Sequence, residues 1–202
     1  STFAGEGIIS GIHKNLSFSA GYTGFRTDGF RLNNGQEDNI SNIFAQVAIT
    51  PKTSIQGELR KREFKKGDLE LRFFPESFYP YFWEKDDSET ARFGFHHAFS
   101  PNSDLIGSFM YSNKKIWTNN FLEAQSPPLP TPPFPPGSTI LIEAFPDTDS
   151  EEDAVGSEFQ QIFRSRYINF VGGAGYFEVD GEQNIDIETV TTVPQPFPSV
   201  TT

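Results

Sequence analysis

The chain has 202 residues, a formal net charge of −11, 22 Phe, 17 Gly, 15 Pro, one Met and no Cys. It is long enough for one domain with a sizeable core. The missing cysteine excludes a disulfide framework and a thiolate metal site, and the acidic balance excludes the basic footprint of a nucleic-acid binder.

In chain order, Ser-Thr-Phe-Ala-Gly opens abruptly, without a signal-peptide pattern, and predicts a piece of a longer precursor. Residues 7–12 (GIISGI) read as a strand, followed by a turn at 13–15. Over 16–25, Leu16, Phe18, Ala20 and Tyr22 alternate with Ser17, Ser19, Gly21 and Thr23, the period of two that defines a half-buried strand. A polar loop over 26–38 follows, then strands over 40–49 and 54–63 around the turn Thr50-Pro51-Lys52-Thr53. A long connection over 64–88, rich in aromatics (Phe73, Phe74, Phe78, Tyr79, Tyr81, Phe82, Trp83), leads to the most regular hairpin, 89–99 and 104–112. There Ala91, Phe93, Phe95, His97 and Phe99 share a face with Leu105, Gly107, Phe109 and Tyr111. A third connection, 113–155, holds seven prolines between Pro127 and Pro136 and an acidic stretch over 147–153. Proline lacks the ladder donor and favours an extended spacer. Strands over 156–163 and 167–177 complete eight, and 178–202 reads as an acidic, loop-like tail.

These elements predict an all-β, antiparallel up-and-down meander of about eight strands in four hairpins. Short turns alternate strictly with long connections, so all short turns lie at one end of the sheet. Loops beyond about 15 residues are unusual in compact soluble domains, whereas outer-membrane barrels combine short periplasmic turns with long extracellular loops. No apolar run approaches the roughly 20 residues of a transmembrane helix, but a transmembrane strand needs only about 9–11. A soluble sandwich predicts the same alternation with its apolar face inward. Loop asymmetry, strand length and aromatic strand ends such as Tyr22, Phe99, Tyr111 and Tyr176 favour the membrane. There is also an internal echo. ITPKTSIQGEL (49–59) matches FSPNSDLIGSF (99–109) at Pro, at the hydroxyl residue two later, at Ile/Leu and at Gly.

The stretches AQVAITPKTSIQGELRKRE, TARFGFHHAFSPNSDLIGSFMYS and FRSRYINFVGGAGYF resemble barrel hairpins of large Gram-negative outer-membrane proteins of the TonB-dependent-receptor-like or porin-like kind. The resemblance implies a transmembrane β-barrel, or part of the wall of a larger one, in the cell outer membrane. Plug domain, TonB box and terminal aromatic strand signal are not among the 202 residues, so the resemblance reaches the barrel wall only.

Glu58, Arg60 and Arg62 fall on the polar face of one strand, and Arg92 and His96 on that of the next. As lumen-facing residues they would form a basic strip that selects anions or binds a solute. The competing reading is a cross-strand ion-pair ladder that stiffens the wall. His96 and His97 point to opposite faces and do not make a metal site. Ser108 and His96 share a face, but no motif supports nucleophilic catalysis. The acidic segments read as solvated loops, with acid clusters that hold divalent cations such as Ca²⁺ or attract cationic ligands as the competing reading. The expectation is a non-enzymatic barrel segment for solute passage, uptake or surface anchoring, without a cofactor. Outer-membrane lipid is its partner, with a small solute in the lumen and no nucleic acid. The alternative is a soluble or cell-surface sheet that binds through its acidic and Pro-rich loops.

Overall fold

The computed structural model describes residues 1–70, 79–129, 131 and 133–194. Phe73, Phe74 and Phe78 of the second connection, Pro130 and Pro132 of the proline run and residues 195–202 of the tail lie outside them. The chain forms one antiparallel sheet from β1 (Thr2–His13), β2 (Leu16–Thr27), β3 (Gln36–Thr50), β4 (Thr53–Lys66), β5 (Trp83–Ser100), β6 (Ser103–Asn119), β7 (Leu122–Gln125), β8 (Leu141–Arg164) and β9 (Asn169–Thr192). Sequential neighbours pair throughout, so the meander is as expected. It is open: among the described residues, β1 and β9 each pair on one side only.

The eight predicted strands correspond to eight columns, because β6 and β7 follow one another along one edge of β8 while β9 takes the other. The break falls at Asn120–Phe121, beside Pro146 of β8. Proline offers no ladder donor there. The Asn120 amide still reaches the Pro146 carbonyl (3.1 Å), but Phe121 N–H turns to the Asn120 side chain (2.8 Å).

The long connections are corrected. Among the described residues of the expected loop 113–155, only 120–121, 126–129, 131 and 133–140 lie outside strands. The acidic stretch Asp147–Asp153 is inside β8, and the expected tail from 178 continues β9 to Thr192. Among the described residues, the loops 26–38 and 64–88 shrink to 28–35 and to 67–70 with 79–82. Beyond the apolar stretch the aromatic face itself turns acidic or polar, so the strand signal weakens while backbone pairing continues, although β9 keeps Val179, Ile185 and Ile187 on its other face. The proline run sits in the β7–β8 loop, where Leu129 N–H still bonds the Ser138 carbonyl (2.8 Å).

The repeated hairpins are structurally equivalent. Both carry a register shift before the turn, between Ala48 and Thr50 and between Ala98 and Ser100. In both, a hydroxyl caps the turn: Thr50 Oγ1 accepts from Lys52 N–H (3.2 Å) and Ser100 Oγ from Asn102 N–H (3.3 Å).

No apolar side chain is buried among the described residues, and the only buried polar ones are Asn34 and Asp68, at 5% and 2% exposure. These two tie the β2–β3 loop to the β4–β5 loop. Asn34 Nδ2 donates to the Asp68 carbonyl (2.8 Å), as does Arg31 Nη2 (3.0 Å), while the Asp68 carboxylate accepts Tyr79 N–H (2.8 Å) and Glu70 N–H (3.1 Å). Asn33 Nδ2 donates to the carbonyls of Tyr79 and Phe82, both at 2.7 Å. Gly29 permits this knot: its φ is +75°, and a Cβ there would lie 2.1 Å from the Asn34 carbonyl oxygen. Gly29→Ala is therefore expected to cost about 1–3 kcal/mol through backbone strain alone, read as a lower urea midpoint. An unchanged midpoint would show that the knot contributes nothing to stability.

Candidate functional site

Strand register sorts every paired side chain onto one of two faces. On the first, aligned rows run Phe18–Ala45–Gly57–Phe93–Phe109–Ser157–Tyr176 and Leu16–Val47–Ile55–Phe95–Gly107–Phe159–Ala174. Phenylalanine rings cover the glycines between them: a Cβ on Gly107 would meet Phe159 at 2.8 Å and Phe95 at 3.1 Å. The aromatic face ends abruptly at the row Tyr22–Ser41–Lys61–Glu89–Asn113–Asp153–Asp180. Past that row, on the side away from the short turns, the same face is charged on every strand from β3 to β9. Its aromatic exceptions there are Trp83, Trp117 and Phe145.

The second face carries all five residues of the expected strip. Register places Glu58 opposite Arg92, Arg60 opposite Thr90, Arg62 opposite Ser88 and Ser54 opposite His96. The strip is largely neutralised. Arg92 Nη1 meets Glu58 Oε2 at 3.5 Å, and Arg62 grips Asp38 of β3 with two bonds of 2.8 Å. His96 Nε2 lies 3.0 Å from Asp104 Oδ1, and Arg164 donates to the other oxygen of the same carboxylate. Arg60 alone of the five has neither a hydrogen bond nor an ion pair among the described residues. The ladder thus accounts for four residues and leaves one cation over. His97 lies on the opposite face, with Nδ1 2.8 Å from Thr53 Oγ1 and its ring edge-on to Phe99 (4.7 Å).

The sequence reading missed two features. The first is a concavity of about 630 Å³ on the polar face, where Gly156, Gly173 and Gly175 leave room bounded by Met110, Glu158, Gln160, Val171 and Phe177. Ser108 lines it, while the His96 ring is turned to Asp104. The spacing Gly173-x-Gly175 in GGAGY was its sequence signal. The polar face is also less uniform than expected, since Ile8 and Ile12 of β1 and Val171, Phe177 and Val179 of β9 are exposed on it.

The second is an acid ladder on the aromatic face beyond its boundary row. Glu151 stands opposite Glu182, Asp153 opposite Asp180 and Asp147 opposite Asp186. Like charges directly opposite are destabilising, and relief comes from β6. Lys115 Nζ reaches Glu151 at 2.9 Å, and Asn113 donates to both Glu151 (2.9 Å) and Asp153 (3.1 Å). The Lys115 ammonium, then the Asn113 amide, hold the Glu151 carboxyl below its ordinary range. A lowered folded value means that this contribution is present above the ordinary carboxylate pKa and lost as pH falls through the lowered one. Lys115→Gln should move the Glu151 titration upward, measured by carboxyl NMR. No upward movement would remove Lys115 as the cause.

No protein-family model matches the chain, and no curated protein matches it.

Proposed function

We propose that the chain forms part of the wall of a transmembrane β-barrel in a Gram-negative outer membrane. Its aromatic face meets lipid and its polar face lines an aqueous lumen that passes a solute. The observation that carries this reading is the apolar face itself. Phe93 (49% exposed), Phe109 (47%), Phe159 (55%) and Tyr176 (59%) lie on a sheet with no second layer over them among the described residues. Water-facing patches of that extent mark surfaces covered by something else. A soluble sandwich would cover this face with its own second sheet.

Dimensions agree with lipid as the cover. On β5 the apolar stretch runs from Ala91 to Phe99, nine residues. That is roughly 30 Å along the strand and, at a tilt of about 45°, some 21 Å along the bilayer normal. An outer-membrane barrel presents a band of about 25 Å. The short turns mark one rim and the row through Lys61 and Glu89 the other. Between its two open edges, continuous pairing leaves no backbone group of the band unbonded, as lipid requires. The open edges of β1 and β9 are then where further wall would join.

Two measurements test the two halves of the proposal. Phe93→Arg places a cation in the middle of the apolar band and should cost about 2–4 kcal/mol of folding into phospholipid vesicles. Gln56→Arg, at the same depth on the opposite face, should cost far less. Equal costs would sink the lipid-facing assignment. For the lumen, Arg60→Glu should shift the reversal potential of the full-length protein in planar bilayers toward cation selectivity. A wall whose current does not respond to that reversal does not conduct past Arg60.

A further inference from the structure

At the far end of the aromatic face, beyond the charged row, β5, β6, β8 and β9 enclose a groove of about 570 Å³. Its lining includes Trp83, Trp117, Asp147, Asp149, Asn184 and Asp186. These are both tryptophans of the chain. Register places Trp117, Asp149 and Asn184 in one row and Asp147 beside Asp186 in the next, with Trp83 heading that row across Asn119. Indoles therefore form one wall and carboxylates the other.

The geometry points to this groove as a binding site for a small organic polycation, a diamine or polyamine. An indole face attracts an ammonium group through the ring quadrupole, and carboxylates on the facing wall add Coulombic attraction of their own. The chain already makes such an arrangement once, at the edge of the groove. The Lys85 ammonium lies 4.6 Å from the centre of the Trp117 ring and bonds Asp87 at 2.5 Å. Trp83, 46% exposed, has no such cation over it among the described residues. Asp149 and Asp186 have no hydrogen bond or ion pair among those residues, and Asp147 has only the Asn119 amide (2.5 Å). Asp147 and Asp186 face each other across the strands as a like-charge pair, which a bound cation between them would relieve. A single metal ion fits less well, since the described residues offer no cluster of three ligating side chains able to close on one ion. Carboxylates spread along a groove with an aromatic wall suit charge spread along an alkyl chain. The site stands whether or not the apolar band is covered by lipid.

The test is calorimetric titration of the full-length protein in detergent micelles with spermidine, against Mg²⁺ and maltose as the metal and sugar arms. Spermidine should bind, Asp147→Asn with Asp186→Asn should weaken it at least tenfold, and Trp83→Ala at least fivefold. Trp83→Phe, which keeps an aromatic face, should recover most of the affinity and guards against a folding defect in Trp83→Ala. Mg²⁺ displacing spermidine at equal charge concentration would overturn the proposal in favour of plain charge attraction. Spermidine affinity unchanged in Trp83→Ala, or maltose binding in place of spermidine, would overturn it as well.

Discussion

The described chain rests on one antiparallel sheet that is a single layer thick. Strand after strand satisfies its neighbour's backbone groups from β1 to β9, yet nothing in the described chain packs over either face. Ordinary domains draw most of their stability from apolar surface removed from water. Here the described residues bury no apolar side chain, and the two buried polar ones belong to a loop-to-loop knot. The energetic partner of the aromatic face must therefore come from outside these strands. A bilayer is the partner whose thickness matches, in the reading proposed above. The same constraint explains why Arg31, Asn33, Asn34 and Asp68 are so heavily bonded. Where two loops cross without a core beneath them, hydrogen bonds rather than packing hold the crossing.

Charge is handled differently on the two faces. The polar face neutralises itself locally, through Glu58 with Arg92, Asp38 with Arg62, Asp86 with Lys114 and Asp104 with both His96 and Arg164. Exposed pairs of this kind stabilise little, typically below about 1 kcal/mol each. Their effect is to cancel the basic character that a list of residues suggests, so that Arg60 is the strip's unmatched cation. Past its aromatic rows, the other face is mixed in sign on β4 to β6, where Lys61 meets Glu63 and Glu89. It turns acidic on β8 and β9, where carboxylates face carboxylates. That ribbon leans on Lys115, Asn113 and Asn119 of β6, and its outer strand has an open edge.

Amphipathic alternation determined the fold class from sequence alone, because residues such as Phe93, Phe95, Phe109 and Phe159 signal a strand wherever one face is apolar and the other is not. It located the hairpin turns at Pro51 and Pro101 and put Glu58, Arg60, Arg62, Arg92 and His96 on one face, since parity along a strand needs no partner to be known. It failed where acidic residues take over the aromatic face, even though Ile185 and Ile187 of β9 still alternate with Asp186 and Glu188. Asp147–Asp153 and Glu178–Glu188 read as solvated loop, although backbone bonds, which carry no side-chain signature, keep them in the sheet. Only the tertiary structure decided which residues meet. That Arg62 takes Asp38 rather than Glu58, that His96 turns to Asp104, that three glycines open a concavity and that both tryptophans face the carboxylates of β8 and β9 are all consequences of register. Register is set by turn geometry and by how the apolar faces of neighbouring strands meet, and parity along one strand does not by itself contain it.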